Sequence, residues 1–460
     1  SIVAEAARAI YDVPILSAME ALAVRLERPL PGNTERPLPG NTERPLPAAE
    51  YLYLTRRAVC ANRKLGGEAC ARRIVAWLRG GDGPEAARAE ALDFLARWAD
   101  PLERDPVTGE YAPVHRGGDD LSPILPELAA SLRAACTVPG SGRVTRAWIR
   151  LVGASGAEAC VPSLHVLLEG EGSHGSQVRR AALATLAERE FTGFEDAVRR
   201  ALVDEDDAVR GEAFARLAAF DEAEAIRWIE PALDSSRGVV RQSAFASLGG
   251  LKSGAADRLL VAWVDRLAEG SAPAEVALEI LEAAAGREDE SVARALERYR
   301  GTLLEDDALA AWRACLVGGD ARAGRRVFFE NAEVSCLKCH KLGDEGGSEA
   351  GPDLSDVGTR LSREELLEAI VLPNAKIATG FENWIFQLDD DTVVAGRLLG
   401  EDEATVTIEV QEGGETVVLE LDASAVTARK RDLSSMPEDV AEHLSRRALR
   451  DVVEFLASRE

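Results

Sequence analysis

Apolar residues along most of the chain recur three or four positions apart, the spacing of one face of a helix. The opening "SIVAEAARAI" already has this pattern. Three later stretches share a register: "VRRAALATLA" from Val178, "VRGEAFARLA" from Val209 and "VRQSAFASLG" from Val240, spaced 31 residues apart. Each has Ala four and Leu eight residues after the Val, giving the pairs Ala182/Leu186, Ala213/Leu217 and Ala244/Leu248. "ARAEALDFLARW" at 87–98 fits the same pattern through Arg88, Ala91 and Leu95. These positions share a helix face, and the small Ala lets a neighbouring helix approach closely. A unit of this length cannot bury its apolar face alone, so units stack into an α-solenoid.

The copies resemble HEAT repeats, with a shorter period than is usual for that class. The predicted solenoid spans 48–317. A helical pair at 1–27 precedes it, joined by "RPLPGNTERPLPGNTERPLP" at 28–47, whose six prolines predict an extended, exposed linker. A Pro-rich docking segment is the alternative reading of that stretch.

From about 318 the pattern changes. "DARAGRRVFFENAEV" reads as a helix, then comes a Gly-rich loop at 343–352, then a helix "SREELLEAIVL" at 362–372. Residues 382–428 hold short β-rich runs, "NWIFQL", "TVVAGRLL", "ATVTIEV", "ETVVLELD" and "SAVTAR", broken by "DDD", "GEDE" and "EGGE". They predict a meander of about five strands closing into a small barrel. The chain returns to helix at 436–460. The fold class is therefore mainly α, with an inserted β element.

Charge narrows the partners. A net charge of −25 argues against nucleic acid and anionic membranes. No apolar run is long enough to span a bilayer. The chain opens at Ser1 without a leader pattern, and reads as a mature or fragmentary chain. Residues 382–422 carry twelve acidic side chains against one basic, Arg397. That field would steer a basic partner; equally, charged turns and edges discourage sheet-to-sheet aggregation. Asp389–Asp391 suit a tight turn better than a Ca²⁺ site.

Of seven cysteines, Cys60, Cys70, Cys136, Cys160 and Cys315 lie in helical stretches and read as small core residues. Cys60 and Cys70 have the alternative of pairing across a helical hairpin. The chemistry concentrates in "VSCLKCHKLGD" at 334–344. Cys336, Cys339 and His340 suit three chemistries. A structural zinc site wants four ligands, but no cysteine follows Cys339 and the only later histidine is His443. A thiol–disulfide pair usually opens a helix after a strand, whereas this one follows a helix. Covalent haem attachment needs two cysteines three apart and an adjacent histidine, which all three residues supply. It also wants a sixth ligand. Of two methionines, Met19 and Met436, the second lies 96 residues beyond His340, of which the β insert accounts for 47.

Residues 318–381 and 431–460 resemble a class I cytochrome c. A helix precedes Cys-x-x-Cys-His, "GPDLSDVG" at 351–358 stands where that family has its Gly-Pro-x-Leu loop, and "MP" precedes a last helix containing "VVEFL". More narrowly, "GDARAGRRVFFENAEVSCLKCH", "GPDLSDVGTR" and "SSMP", with a β-rich insert before the Met, resemble the haem-binding domain of planctomycete and verrucomicrobial proteins. In those proteins it commonly follows HEAT-like helices and an upstream dehydrogenase-like propeller. The resemblance implies one haem c bound through Cys336 and Cys339, with His340 and Met436 as axial ligands. It further implies that the Pro352 carbonyl orients His340. Arg360 is a candidate partner for a propionate, or an exposed residue at a helix start. This chain departs from a plain cytochrome c in its β-rich insert, which stands ahead of the Met loop.

Filled axial positions imply a single-electron carrier, not a catalyst in its own right, fed by a dehydrogenase domain or partner and emptied by a basic cytochrome or another acceptor. Haem attachment implies an extracytoplasmic, periplasmic location. Two alternatives stand beside it: a gas sensor or peroxidase-like centre with an open sixth position, and a HEAT-type binding scaffold with an accessory haem.

Overall fold

The computed structural model describes residues 2–27, 47–81, 83–100, 102–114, 120–138, 140–169, 175–412 and 415–460. All but Pro47 of the Pro-rich stretch lies outside the described residues. The chain divides into two compact units, Ser1–Pro231 and Ala232–Glu460.

Helices dominate the first unit. The repeat register is the core register: Val178, Ala182 and Leu186 on helix Ser176–Glu188, and Val209, Ala213 and Leu217 on helix Asp207–Phe220, are all buried. Burying such a face is what makes these short helices stable. In the first copy the Arg after the Val ties the repeat to the chain beyond it: Arg179 reaches Asp204 at 2.9 Å, ahead of the next helix. Arg88 similarly donates to the Ala135 carbonyl at 2.6 Å.

One element interrupts the predicted solenoid. A short hairpin pairs β1 (Leu102–Arg104) with β2 (Tyr111–Val114). Asp105 closes its turn by accepting from the amides of Val107 and Thr108 at 2.7 and 2.9 Å. Asp105 also takes the Tyr11 hydroxyl at 2.8 Å and the Lys64 ammonium at 2.5 Å. Cys60 and Cys70 are separate buried thiols, not a disulfide, and Cys70 lies 3.7 Å from Arg73 on its own helix.

In the second unit, helix Gly238–Gly250 carries the third copy, with Val240, Ala244 and Leu248 buried. It packs on helix Ala277–Ala285, where Gly249 leaves no spare room against Ala283. Arg450, on the C-terminal helix Arg446–Ala457, binds Glu279 through two bonds of 2.9 and 2.7 Å, both side chains buried. That helix crosses Ala321–Glu330 at Gly324, where an added Cβ would stand 1.9 Å from the Asp451 carbonyl. Phe328 and Phe455 pack alongside, centroids 5.7 Å apart.

The insert is an antiparallel sheet of β3 (Asn383–Leu388), β4 (Val393–Glu401), β5 (Thr405–Glu412), β6 (Glu415–Asp422) and β7 (Val426–Arg431), ordered β6-β5-β4-β3-β7. The meander runs through β3 to β6 as the sequence predicts. The expected barrel does not form, because β7 returns to pair with β3, leaving β6 and β7 as edges. Phe386, Val406 and Ile408 are its small core. Asp389–Asp391 form the β3–β4 turn: Asp391 has φ +66°, and Asp390 accepts the Thr392 amide at 2.9 Å. Acidic side chains gather at such tips, while β7 exposes Arg429, Lys430 and Arg431. No helix among the described residues is long and apolar enough to cross a membrane.

Candidate functional site

Asp320 caps the helix Ala321–Glu330 by accepting from the amides of Arg322 and Ala323. Past its end, Asn331 accepts from the amides of Glu333 and Val334, and Ser335 adopts φ +45°. This reversal leads into a single 3-10 turn at Cys336–Lys338, closed by Cys339 N–H donating to the Cys336 carbonyl at 3.2 Å, which His340 N–H also reaches at 3.0 Å. Cys336, Cys339 and His340 therefore sit on a loop after a helix, not at a helix start after a strand, which is not the setting of a thiol-exchange pair.

The Gly-rich segment folds back over this turn. Gly351 N–H donates to the Cys339 carbonyl at 2.6 Å, and a Cβ on Gly351 would stand 3.1 Å from the His340 ring. Gly347, at φ +111°, would place a Cβ 2.1 Å from the His340 carbonyl. Only glycine permits both the conformation and the approach. The His340 Nδ1 then meets the Pro352 carbonyl at 2.9 Å. A carbonyl can only accept, so Nδ1 carries the proton and Nε2 keeps its lone pair. Burial lowers the His340 pKa and so favours the neutral ring, although the Pro352 bond opposes that shift.

Cys336 is half-buried, and burial pushes its thiol up to about 11, so it rests as a thiol at neutral pH, unlike a nucleophile poised for exchange. Cys339 is exposed. Cys336 and Met436, with Leu337 and Leu354, pack as partly buried side chains against one apolar core built from Phe328, Leu342, Val357, Leu367, Val453 and Phe455. Among the described residues, no group of three or more His, Cys, Asp or Glu side chains converges to hold a metal ion, so a closed zinc shell is not formed here. Together these residues supply one imidazole with an unprotonated Nε2, one thioether, two free thiols and an apolar lining, the donor types that a covalently held haem would take.

Arg360 ends the short helix Val357–Arg360 instead of starting one. It is exposed, held by Asp356 at 2.9 Å and the Asp353 carbonyl at 2.6 Å. Met19 is an ordinary core residue of helix Leu16–Ala23.

Two residues that the sequence does not single out hold the Met436 loop. Asn374 accepts the Ser434 amide at 2.7 Å and donates to Glu438. Asn383 donates to the Leu433 carbonyl at 3.0 Å and the Ser435 hydroxyl at 2.8 Å. Beside them a cavity of 430 Å³ opens between Asn374–Ile377 and Lys430–Leu433. Both asparagines lie on the entry side of the β-rich run, and nothing in the local sequence marks either one.

The family model for HEAT repeats matches residues 166–249, which covers the copies at Val178, Val209 and Val240. No curated protein matches the chain.

Proposed function

We propose that residues 318–460 bind one haem c through Cys336 and Cys339, with His340 and Met436 as axial ligands. In this reading the domain passes single electrons from a dehydrogenase domain or partner to an extracytoplasmic carrier. The observation that carries the reading is His340, its Nδ1 proton committed to Pro352 and its Nε2 left with a lone pair, on a loop whose Cys336 shares an apolar core with Met436. When bound, the haem would supply a one-electron iron couple, raised in potential by a thioether ligand.

The protein's own work is positioning and exclusion. Pro352 fixes the tautomer and orientation of His340, an outer-shell bond of the kind that tunes a ligand's basicity. The core around Phe328, Leu342 and Phe455 keeps water from one side of the site. Arg360, satisfied by Asp356 and Asp353, is better suited to stiffening the 353–360 turn than to holding a propionate. The acidic tips of the sheet suit long-range steering of a basic acceptor.

The test is intact-mass spectrometry of the full chain matured in a periplasm equipped for c-type assembly. The reading expects a mass gain of one haem, kept in Cys336→Ser or Cys339→Ser through the one remaining thioether and abolished in the double variant. An unchanged mass would overturn it. The HEAT match favours a second reading, in which the repeats bind a protein partner and the haem is accessory. Capture of a redox partner by the repeats but not by residues 318–460 would favour that reading.

A further inference from the structure

The loop from Asp432 to Pro437 has no regular secondary structure, so side chains must set its shape. Asn374 spans it. Its Oδ1 accepts from Ser434 N–H at 2.7 Å, while its Nδ2 donates to the Glu438 carboxylate, two residues to either side of Met436. An amide is both donor and acceptor, which one bracket of this kind requires. Asn383, the first residue of β3, holds the near end. Its Nδ2 donates to Leu433 and Ser435, and its carbonyl accepts from Asp432 N–H at 2.8 Å. Inside the bracket, Met436 N–H donates to the Ser434 hydroxyl at 3.1 Å.

The sheet delivers this loop. Its first and last strands are paired, Trp384 opposite Arg431, so the chain leaves β7 directly beneath Asn383. Asn374 stands on the segment just before the sheet. The two asparagines thus border the insert on its entry side, and the loop they grip leaves on its exit side.

We infer that Asn374 and Asn383 are positioning residues that hold the Met436 sulfur in place, and that the β insert is the frame for this clamp. The inference rests on the ligation reading above. A thioether is a soft, uncharged donor, so its hold on a metal depends on the chain keeping it there. Loosening the clamp opens the sixth position to outside ligands without removing the methionine.

The experiment uses the haem-loaded full chain as wild type, Asn374→Ala, Asn383→Ala, Asn374→Asp and Asn374→Asp combined with Glu438→Gln. The readouts are carbon monoxide binding by the reduced protein and amide hydrogen exchange over 432–438, with thermal melts to show that each variant is folded. Each alanine variant should bind carbon monoxide about tenfold more readily, as the open fraction of the loop rises. Exchange should quicken within 432–438 alone. Asn374→Asp sets two carboxylates together and should behave like the alanine variant. Adding Glu438→Gln restores a donor facing an acceptor and should return both readouts towards wild type. This swap also keeps the test sound if an alanine variant unfolds. Wild-type carbon monoxide binding and exchange in both alanine variants, or no rescue by the swap, would overturn the clamp. If the wild type itself binds carbon monoxide readily, the ligation reading has failed; the clamp then stands or falls on whether the variants speed exchange at Ser434 and Met436.

Discussion

His340 Nδ1 lies 2.9 Å from the carbonyl oxygen of Pro352. The bond fixes the tautomer, and burial holds the ring below its ordinary pKa of 6.5. Unfolded, the ring takes a proton near that value; folded, it takes one only at lower pH. The unfolded chain therefore binds more protons in that window, so stability is lost as the pH falls from about 6.5. Denaturant melts of the haem-free chain between about pH 7 and pH 5 should show this slope, shallower in His340→Gln. Equal slopes would mean that His340 is not held neutral by the fold.

The crossing of Ala321–Glu330 over Arg446–Ala457 depends on one absent side chain. A Cβ at Gly324 would meet the Asp451 carbonyl at 1.9 Å and the Phe455 Cβ at 2.8 Å. Gly324→Ala should cost about 1–3 kcal/mol by overpacking. Gly80→Ala, with nothing within 4 Å of the new Cβ, should be neutral or slightly stabilising. Thermal melts of the two variants compare them directly.

Glu279 and Arg450 join helix Ala277–Ala285 to the C-terminal helix as a buried, two-bonded ion pair. Removing one partner strands a buried charge, so Arg450→Met or Glu279→Met should each cost about 3–5 kcal/mol. The double variant should recover most of that loss, since the pair's desolvation cost disappears with it. A double-mutant cycle by chemical denaturation measures the coupling.

Much of this fold is legible from periodicity. The Val, Ala and Leu positions from Val178, Val209 and Val240 fall on buried faces because small and branched apolar residues at helical spacing have few other places to go. β3 at Asn383–Leu388 and β6 at Glu415–Asp422 coincide with "NWIFQL" and "ETVVLELD". The open sheet was not legible. Alternation fixes which face each residue takes, but not which neighbour a strand joins, and β7 chose β3. The hairpin around Asp105 was hidden for a related reason, since its order comes from contacts with Tyr11 and Lys64, distant in sequence. At the candidate site, spacing pointed to Cys336, Cys339, His340 and Met436. Asn374 and Asn383 were invisible, because each acts through bonds spanning 50 to 64 residues.

The most direct test of haem ligation by His340 and Met436 is the oxidised and reduced absorption spectrum of the matured full chain, recorded for wild type and Met436→Ala. The account predicts a c-type spectrum in both. It also predicts a weak far-red band in the oxidised wild type that vanishes in the variant, and carbon monoxide binding in the variant alone. A c-type wild type lacking that band and binding carbon monoxide would contradict Met436 ligation. Absence of any haem signal would contradict the site itself.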